Sequence, residues 1–258
     1  MTEPLDLIVS ADWLATHRDD VIVVDVRPAD RYETGHLPGA RNIDLYPYKI
    51  LDSDPDLIAG WVETVQAAFR TLGLRNGDRV VFYEEYSGTT AARGAWLMRA
   101  LSLGEGAMLD GGLSAWVSTG HPIDTDPVAI EPSDLVARLD PALFATSSDI
   151  LDATHSVIVD TRADLEWMQG TIPSARHLEW IHHLRPDGTL KPVDELRAMY
   201  DQLGVEPDDE VITFCASGYR AAHTWLVLTM LGFGNVRNYA PSWGEWGRRS
   251  DLPVASTR

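Results

Sequence analysis

The sequence predicts two α/β domains in tandem, each a parallel sheet flanked by helices, and three observations carry that expectation. A segment returns: VIVVDVRPADRYETGHLPGARN at 21–42 comes back as SVIVDTRADLEWMQGTIPSARH at 156–177, so that Asp25, Arg27, Gly35, Pro38, Ala40 and Arg41 each reappear 135 positions later. Short β-branched runs alternate with longer helical patterns, which is the sequence form of strands buried on both faces. A chain of 258 residues, 45% of them hydrophobic, is long enough for two cores of ordinary size.

The elements follow in order. Strands are expected at Val21 to Val24 and Val80 to Phe82 in the first copy, and at Val157 to Val159 and Val211 to Phe214 in the second. A helix is predicted from Asp56 to Leu72, because Leu57, Trp61, Val65 and Phe69 recur at four-residue steps and Gly73 supplies a stop. Further helices are predicted at Thr90 to Leu101, Val193 to Leu203 and Ala221 to Leu231, and Trp96 superposes on Trp225. The proline- and acid-rich stretch TGHPIDTDPVAIEPSD reads as a connector, so the expected division is a domain over 1–120, a linker over 121–140 and a domain over 141–258.

Charge narrows the function classes. Asp and Glu number 39 against 21 Lys and Arg, a formal charge of −18, which repels phosphate backbones and anionic lipid at long range. Neither nucleic acid nor a membrane is an expected partner. The longest candidate apolar stretch, Ala221 to Val236, is too short to span a bilayer. A single cysteine cannot form an internal disulfide, and the first twenty residues carry Asp6, Asp12, Asp19 and Asp20 where a targeting signal would be basic and then apolar. Both features point to the cytoplasm.

That cysteine, Cys215, lies in TFCASGYRAAHTW, where a strand ends and a helix begins. A lone cysteine is commonly a small buried hydrophobe. Here it stands at the carboxyl edge of a parallel sheet, where α/β folds place their ligands. The loop Ala216, Ser217, Gly218 and Tyr219 directs backbone N–H groups and a helix start at one spot, Gly218 can adopt positive φ, and Arg220 adds a cation. Such a field favours thiolate over thiol and makes Cys215 a candidate nucleophile.

These residues resemble the tandem-domain rhodaneses, the thiosulfate and 3-mercaptopyruvate sulfurtransferases. The likeness rests on DVR…GHLPGARN, its weaker second copy, PDGTLK (186–191), FCASGYRAAHTW, and NVRNYAPSWGEWG (235–247). It implies that Cys215 takes a sulfane sulfur from a small anionic donor, thiosulfate favoured over 3-mercaptopyruvate. The persulfide then passes that sulfur to cyanide or a thiol, a thioredoxin-like protein among the candidates. No cofactor is expected, and His182 and His183, adjacent but without a fixed third ligand, do not make an expected metal site. The first domain should be catalytically silent, because Glu84 occupies the position that superposes on Cys215. Arg220 would orient the donor and offset charge on the leaving group, with Ala216, Ser217, Gly218 and Tyr219 forming the cradle.

The sequence departs from the family at several points. GTIPSA places Thr171 and Ser174 where the family has His and Gly, and YAPSW places Ala240 and Pro241 at an expected pocket rim. Arg27 has Glu33 as its expected partner, whereas the superposed position in the second copy is Met168. Arg162 is therefore expected either to pair with Glu166 or to bind the donor. His182 and His183 are expected in a solvated loop, and Trp243 and Trp246 in domain packing. A cysteine-dependent phosphatase or arsenate reductase is the rival enzyme class. Those enzymes place five residues between cysteine and arginine, whereas this chain has four, and Phe214 stands where tyrosine phosphatases have histidine. A non-catalytic binding or sulfur-relay module is the third reading.

Overall fold

The computed structural model describes residues 4–257 and divides into two compact units. The first comprises the chain up to Tyr48, Gly60–Asp140 and Leu184–Leu190; the second comprises Lys49–Ala59, Pro141–His183 and the chain from Lys191 onward. Residues 121–140, read as a connector, lie within the first unit.

In the first unit the elements run β1 (Ile8–Val9), α1 (Ala11–Thr16), β2 (Ile22–Asp25), α2 (Ala29–Glu33), β3 (Arg41–Asn42), α3 (Pro55–Thr71), β4 (Asp78–Tyr83), α4 (Thr89–Ala100), β5 (Gly104–Leu109) and α5 (Gly112–Ser118). The first turn of α3 belongs to the other unit. All strand pairs are parallel, in the order β1-β5-β4-β2-β3. On α3, Trp61, Val65 and Phe69 are buried as their spacing predicts. Leu57 departs from that stripe and is 56% exposed, because it lies in the opening turn of the helix.

The second unit contains α6 (Ser147–Asp152), β6 (Val157–Asp160), α7 (Asp164–Trp167), β7 (Arg176–His177), α8 (Val193–Leu203), β8 (Glu210–Phe214), α9 (Tyr219–Met230), β9 (Asn235–Asn238) and α10 (Ser242–Trp246). Its sheet is parallel, in the order β7-β6-β8-β9. Phe214, Ile212, Ile158, Tyr239 and Trp246 form its core on one face. The central strands β4 and β8 each lead into a loop and then a buried helix, α4 or α9. The backbone repeat is close: Val26 N–H donates to Tyr83 C=O in one unit, and Thr161 N–H donates to Phe214 C=O in the other, both at 2.9 Å. Glu84 and Cys215 therefore follow corresponding strand ends.

Candidate active site

Cys215 is the first residue beyond β8 and is 1% exposed. Its backbone is clamped from three directions. Its N–H donates to Ser242 Oγ at 3.1 Å, its C=O accepts from Trp243 N–H at 2.9 Å, and the next carbonyl, of Ala216, accepts from Gly244 N–H at 2.9 Å. Ser242 in turn donates to Tyr239 C=O at 2.7 Å, from a left-handed φ of 56° that few non-glycine residues adopt. The sequence reading missed Ser242. Its signal was the SW pair of YAPSWGEW, which the motif match treated as a whole.

The loop then turns on Gly218, whose φ of 85° suits glycine and directs its N–H at Cys215 Sγ, 3.1 Å away. The Gly218 C=O is held by Asn238 Nδ2 at 3.0 Å, a contact from β9 that the cysteine motif alone does not reveal. Ala216 and Ser217 are half-buried, and Gly218 is buried. Tyr219 opens α9 and is only 6% exposed, so its side chain packs inward. The result is a buried sulfur at the N-terminus of a twelve-residue helix, where amide dipoles favour negative charge.

Arg220 lies in the first turn of α9, and its partner is Glu166 on α7: NH1 to Oε2 at 2.5 Å and NH2 to Oε1 at 2.9 Å. Burial by itself lowers the Arg220 pKa, yet the hydrogen bond to Glu166, together with the charge and hydrogen bond of Cys215, raises it overall. The same bond from Arg220 holds Glu166 below the usual carboxylate range, against the opposing effect of burial. The pair is ionised at neutral pH and lies beside Cys215.

Arg162 corrects the expectation set for it. It pairs with Asp160, two residues before it, through Nε at 2.9 Å and NH2 at 2.6 Å, and NH2 also donates to Gly170 C=O at 2.7 Å. It is 2% exposed and lies 4.2 Å over the ring of Trp243. The sequence reading missed this partner because it looked one helix turn ahead instead of back along the strand. Arg27 shows the same geometry with Asp25 and Gly35 C=O, while its expected partner Glu33 is exposed. Thr171 is buried and donates to Asp160 Oδ2 at 2.9 Å, which completes that carboxylate's shell.

Two further expectations change. His183 is fully buried, stacked on His223 with ring centroids 5.5 Å apart and bonded to Tyr200 Oη at 2.8 Å. Burial and the neighbouring His223 hold its pKa well below the ordinary value, so it is a neutral core residue. Ala240 and Pro241 are buried under the loop and do not form a rim, since their segment leads directly into the clamp at Ser242. Trp246 packs in the core and Trp243 packs against it, with Arg162 over the Trp243 ring.

In the first unit the corresponding place is filled by protein. Glu84 Oε1 accepts from Thr90 N–H at 2.7 Å and Ala91 N–H at 3.0 Å, the opening amides of α4. Burial raises the Glu84 pKa, and those two N–H bonds oppose the rise. A Cβ on Gly88 would lie 2.4 Å from this carboxylate, so the loop requires glycine there.

Comparison with known proteins bears on the fold and the family. The model of the rhodanese-like domain matches residues 10–119 and again 145–249. The chain is 32% identical to a 3-mercaptopyruvate sulfurtransferase of Escherichia coli, over 95% of this chain and 96% of that protein. It is 31% identical to a thiosulfate sulfurtransferase of Azotobacter vinelandii, over 91% of each. The crystal structure of SseA from Escherichia coli, described as a 3-mercaptopyruvate sulfotransferase of rhodanese fold, superposes with a TM-score of 0.81 at 28% identity, covering 93% of this chain and 99% of that one. Two matched domains, two parallel sheets and relatives aligned over nearly the full length lead to one conclusion: this chain belongs to the rhodanese family, as a tandem of two rhodanese-like domains.

Proposed function

We propose that Cys215 is the nucleophile and that the domain over 141–258 carries the reaction, while the domain over 1–120 is catalytically silent. The chain is a sulfurtransferase, as its full-length similarity to sulfurtransferases of both donor types supports. The observation that carries the assignment to Cys215 is its buried sulfur, with Gly218 N–H at 3.1 Å, at the start of α9 and beside Arg220.

The thiolate attacks the outer sulfur of the donor. For thiosulfate, the Cys215 S–S bond forms as the donor S–S bond breaks, and sulfite leaves with the bonding pair. The persulfide left on Cys215 is anionic and takes the place of the thiolate before the loop amides, so the cradle made by Ala216, Ser217, Gly218 and Tyr219 serves both states. Cyanide, or a thiolate, then attacks the terminal sulfur and restores the Cys215 thiolate, with thiocyanate or a new persulfide as product. Arg220 supplies the cation that offsets charge on the departing group. Arg162 holds the floor through Asp160 and Trp243.

Thiosulfate is the first reading of the donor, on the loop of four residues between Cys215 and an arginine. One observation favours 3-mercaptopyruvate as the second: Arg220 already carries a carboxylate, so the site offers less net positive charge to a dianion. A thioredoxin-like protein is a suitable thiol acceptor. Steady-state kinetics with each donor and cyanide test the reading, with thiocyanate formation expected in the wild-type protein and none in Cys215→Ser.

A further inference from the structure

Glu166 has no role in the reaction as written, yet it makes a two-point contact with Arg220, the cation that reaction uses beside Cys215. Its two oxygens take one hydrogen from each terminal nitrogen of Arg220, the planar edge by which a guanidinium grips an oxyanion. An oxyanion cannot occupy that edge while Glu166 holds it. Three of the five guanidinium N–H groups remain, and Arg220 lies close enough to Cys215 for the sulfur to raise its pKa. The other nearby arginine offers no compensation, because Arg162 is already matched by Asp160. With a thiolate or persulfide on Cys215, the local sum is two negative charges against one positive. The Glu166 side chain is 38% exposed and that of Arg220 21%, so the pair faces the solvent from which a donor arrives.

We propose that Glu166 is a positioning and specificity-determining residue: it fixes Arg220 against Cys215 and, as a fixed negative charge at the site, selects against dianionic sulfur donors in favour of monoanionic ones. The inference rests on the reading of Cys215 and Arg220 as the sulfur-transfer site. Its physical content is a difference of one charge. Thiosulfate brings two negative charges and 3-mercaptopyruvate, with its thiol protonated, brings one, so Glu166 repels the first about twice as strongly. For a partly exposed pair of charges several ångströms apart, that difference corresponds to a factor of about three to ten in relative use of the donors.

The test uses the full chain and three proteins: wild type, Glu166→Gln, which keeps an oxygen acceptor for Arg220 without the charge, and Glu166→Asp, which keeps the charge. Thiocyanate formation is followed with thiosulfate and with 3-mercaptopyruvate at fixed cyanide, at low and high salt. In Glu166→Gln the ratio of kcat/KM for thiosulfate to that for 3-mercaptopyruvate should rise by about three- to tenfold, chiefly through KM for thiosulfate, and the rise should shrink at high salt. Glu166→Asp should keep the wild-type ratio even if its absolute rates fall. An unchanged ratio in Glu166→Gln, or an equal change in Glu166→Asp, overturns the charge selection and leaves Glu166 as structural support. Wild-type protein that forms no product with either donor overturns the underlying reading of Cys215, and this inference with it.

Discussion

The strand-end loops of β4 and β8 begin from the same backbone register and end differently. After β8, four residues reach α9, Gly218 takes a left-handed conformation, and the amide so presented faces a sulfur atom. After β4, five residues reach α4, Gly88 is extended with φ −100°, and the helix-opening amides close on the Glu84 carboxylate. In the proposed reaction the first loop cradles a sulfur that is exchanged and transferred. The second cradles a carboxyl group built into the chain. The difference teaches that helix-start N–H groups take an acceptor whichever residue follows the strand, and in the first unit the Glu84 carboxyl supplies it.

The largest break in this comparison is Cys215→Ser, which keeps the loop and removes the nucleophile. Thiocyanate production should fall to background while the far-UV spectrum and thermal midpoint stay near wild type, since a hydroxyl is a far weaker nucleophile at neutral pH. Next comes Arg220→Ala, for which kcat/KM with thiosulfate should drop by about tenfold to a thousandfold, with Arg220→Lys restoring only part because an ammonium lacks the planar fork that holds both Glu166 oxygens and fixes the cation beside Cys215. Kinetics equal to wild type in Arg220→Ala would show that the helix start alone activates the sulfur.

Ser242→Ala tests the clamp that has no reagent role. It leaves the Cys215 N–H without its acceptor in a buried site and should destabilise the protein by about 1–3 kcal/mol. The loop should loosen as well, visible as a lower kcat for both donors alike. The smallest effect on turnover is expected from Glu84→Gln. The raised Glu84 pKa means that the folded state holds its proton more tightly than the unfolded chain, so this carboxyl loses stabilising value as pH rises from its unfolded value through the folded one. The uncharged variant should therefore match wild type at low pH and gain in relative thermal midpoint above that window, with sulfur transfer unchanged throughout. A large loss of kcat in folded Glu84→Gln would contradict a silent first domain.

Much of this was legible in the chain itself. The 135-residue offset linking Asp25 with Asp160 and Arg27 with Arg162 announced two copies of one α/β unit, and the β-branched runs at Val80 and Val211 located the strands that end at Glu84 and Cys215. Cys215, Gly218 and Arg220 are contiguous, so one strand–turn–helix carries them together. What sequence spacing could not supply was the pairing of charges. Asp160 pairs with Arg162 across two residues along a strand end, and Glu166 reaches Arg220 across 54 positions, a contact that only the packing of α7 beside α9 creates. Ser242 and Asn238 clamp the cysteine loop from β9 and the turn after it for the same reason. The burial of His183 depended on a stack with His223 that adjacency to His182 concealed.

The most direct test of the central claim is a mass measurement on the intact protein. The full chain is incubated with thiosulfate, or separately with 3-mercaptopyruvate, freed of excess donor without reductant, and weighed, with peptide mapping to locate any addition. One added sulfur atom is expected on the wild-type protein, on the peptide containing Cys215, discharged by cyanide and absent from Cys215→Ser. No added mass with either donor, or an added sulfur that persists in Cys215→Ser, would contradict it.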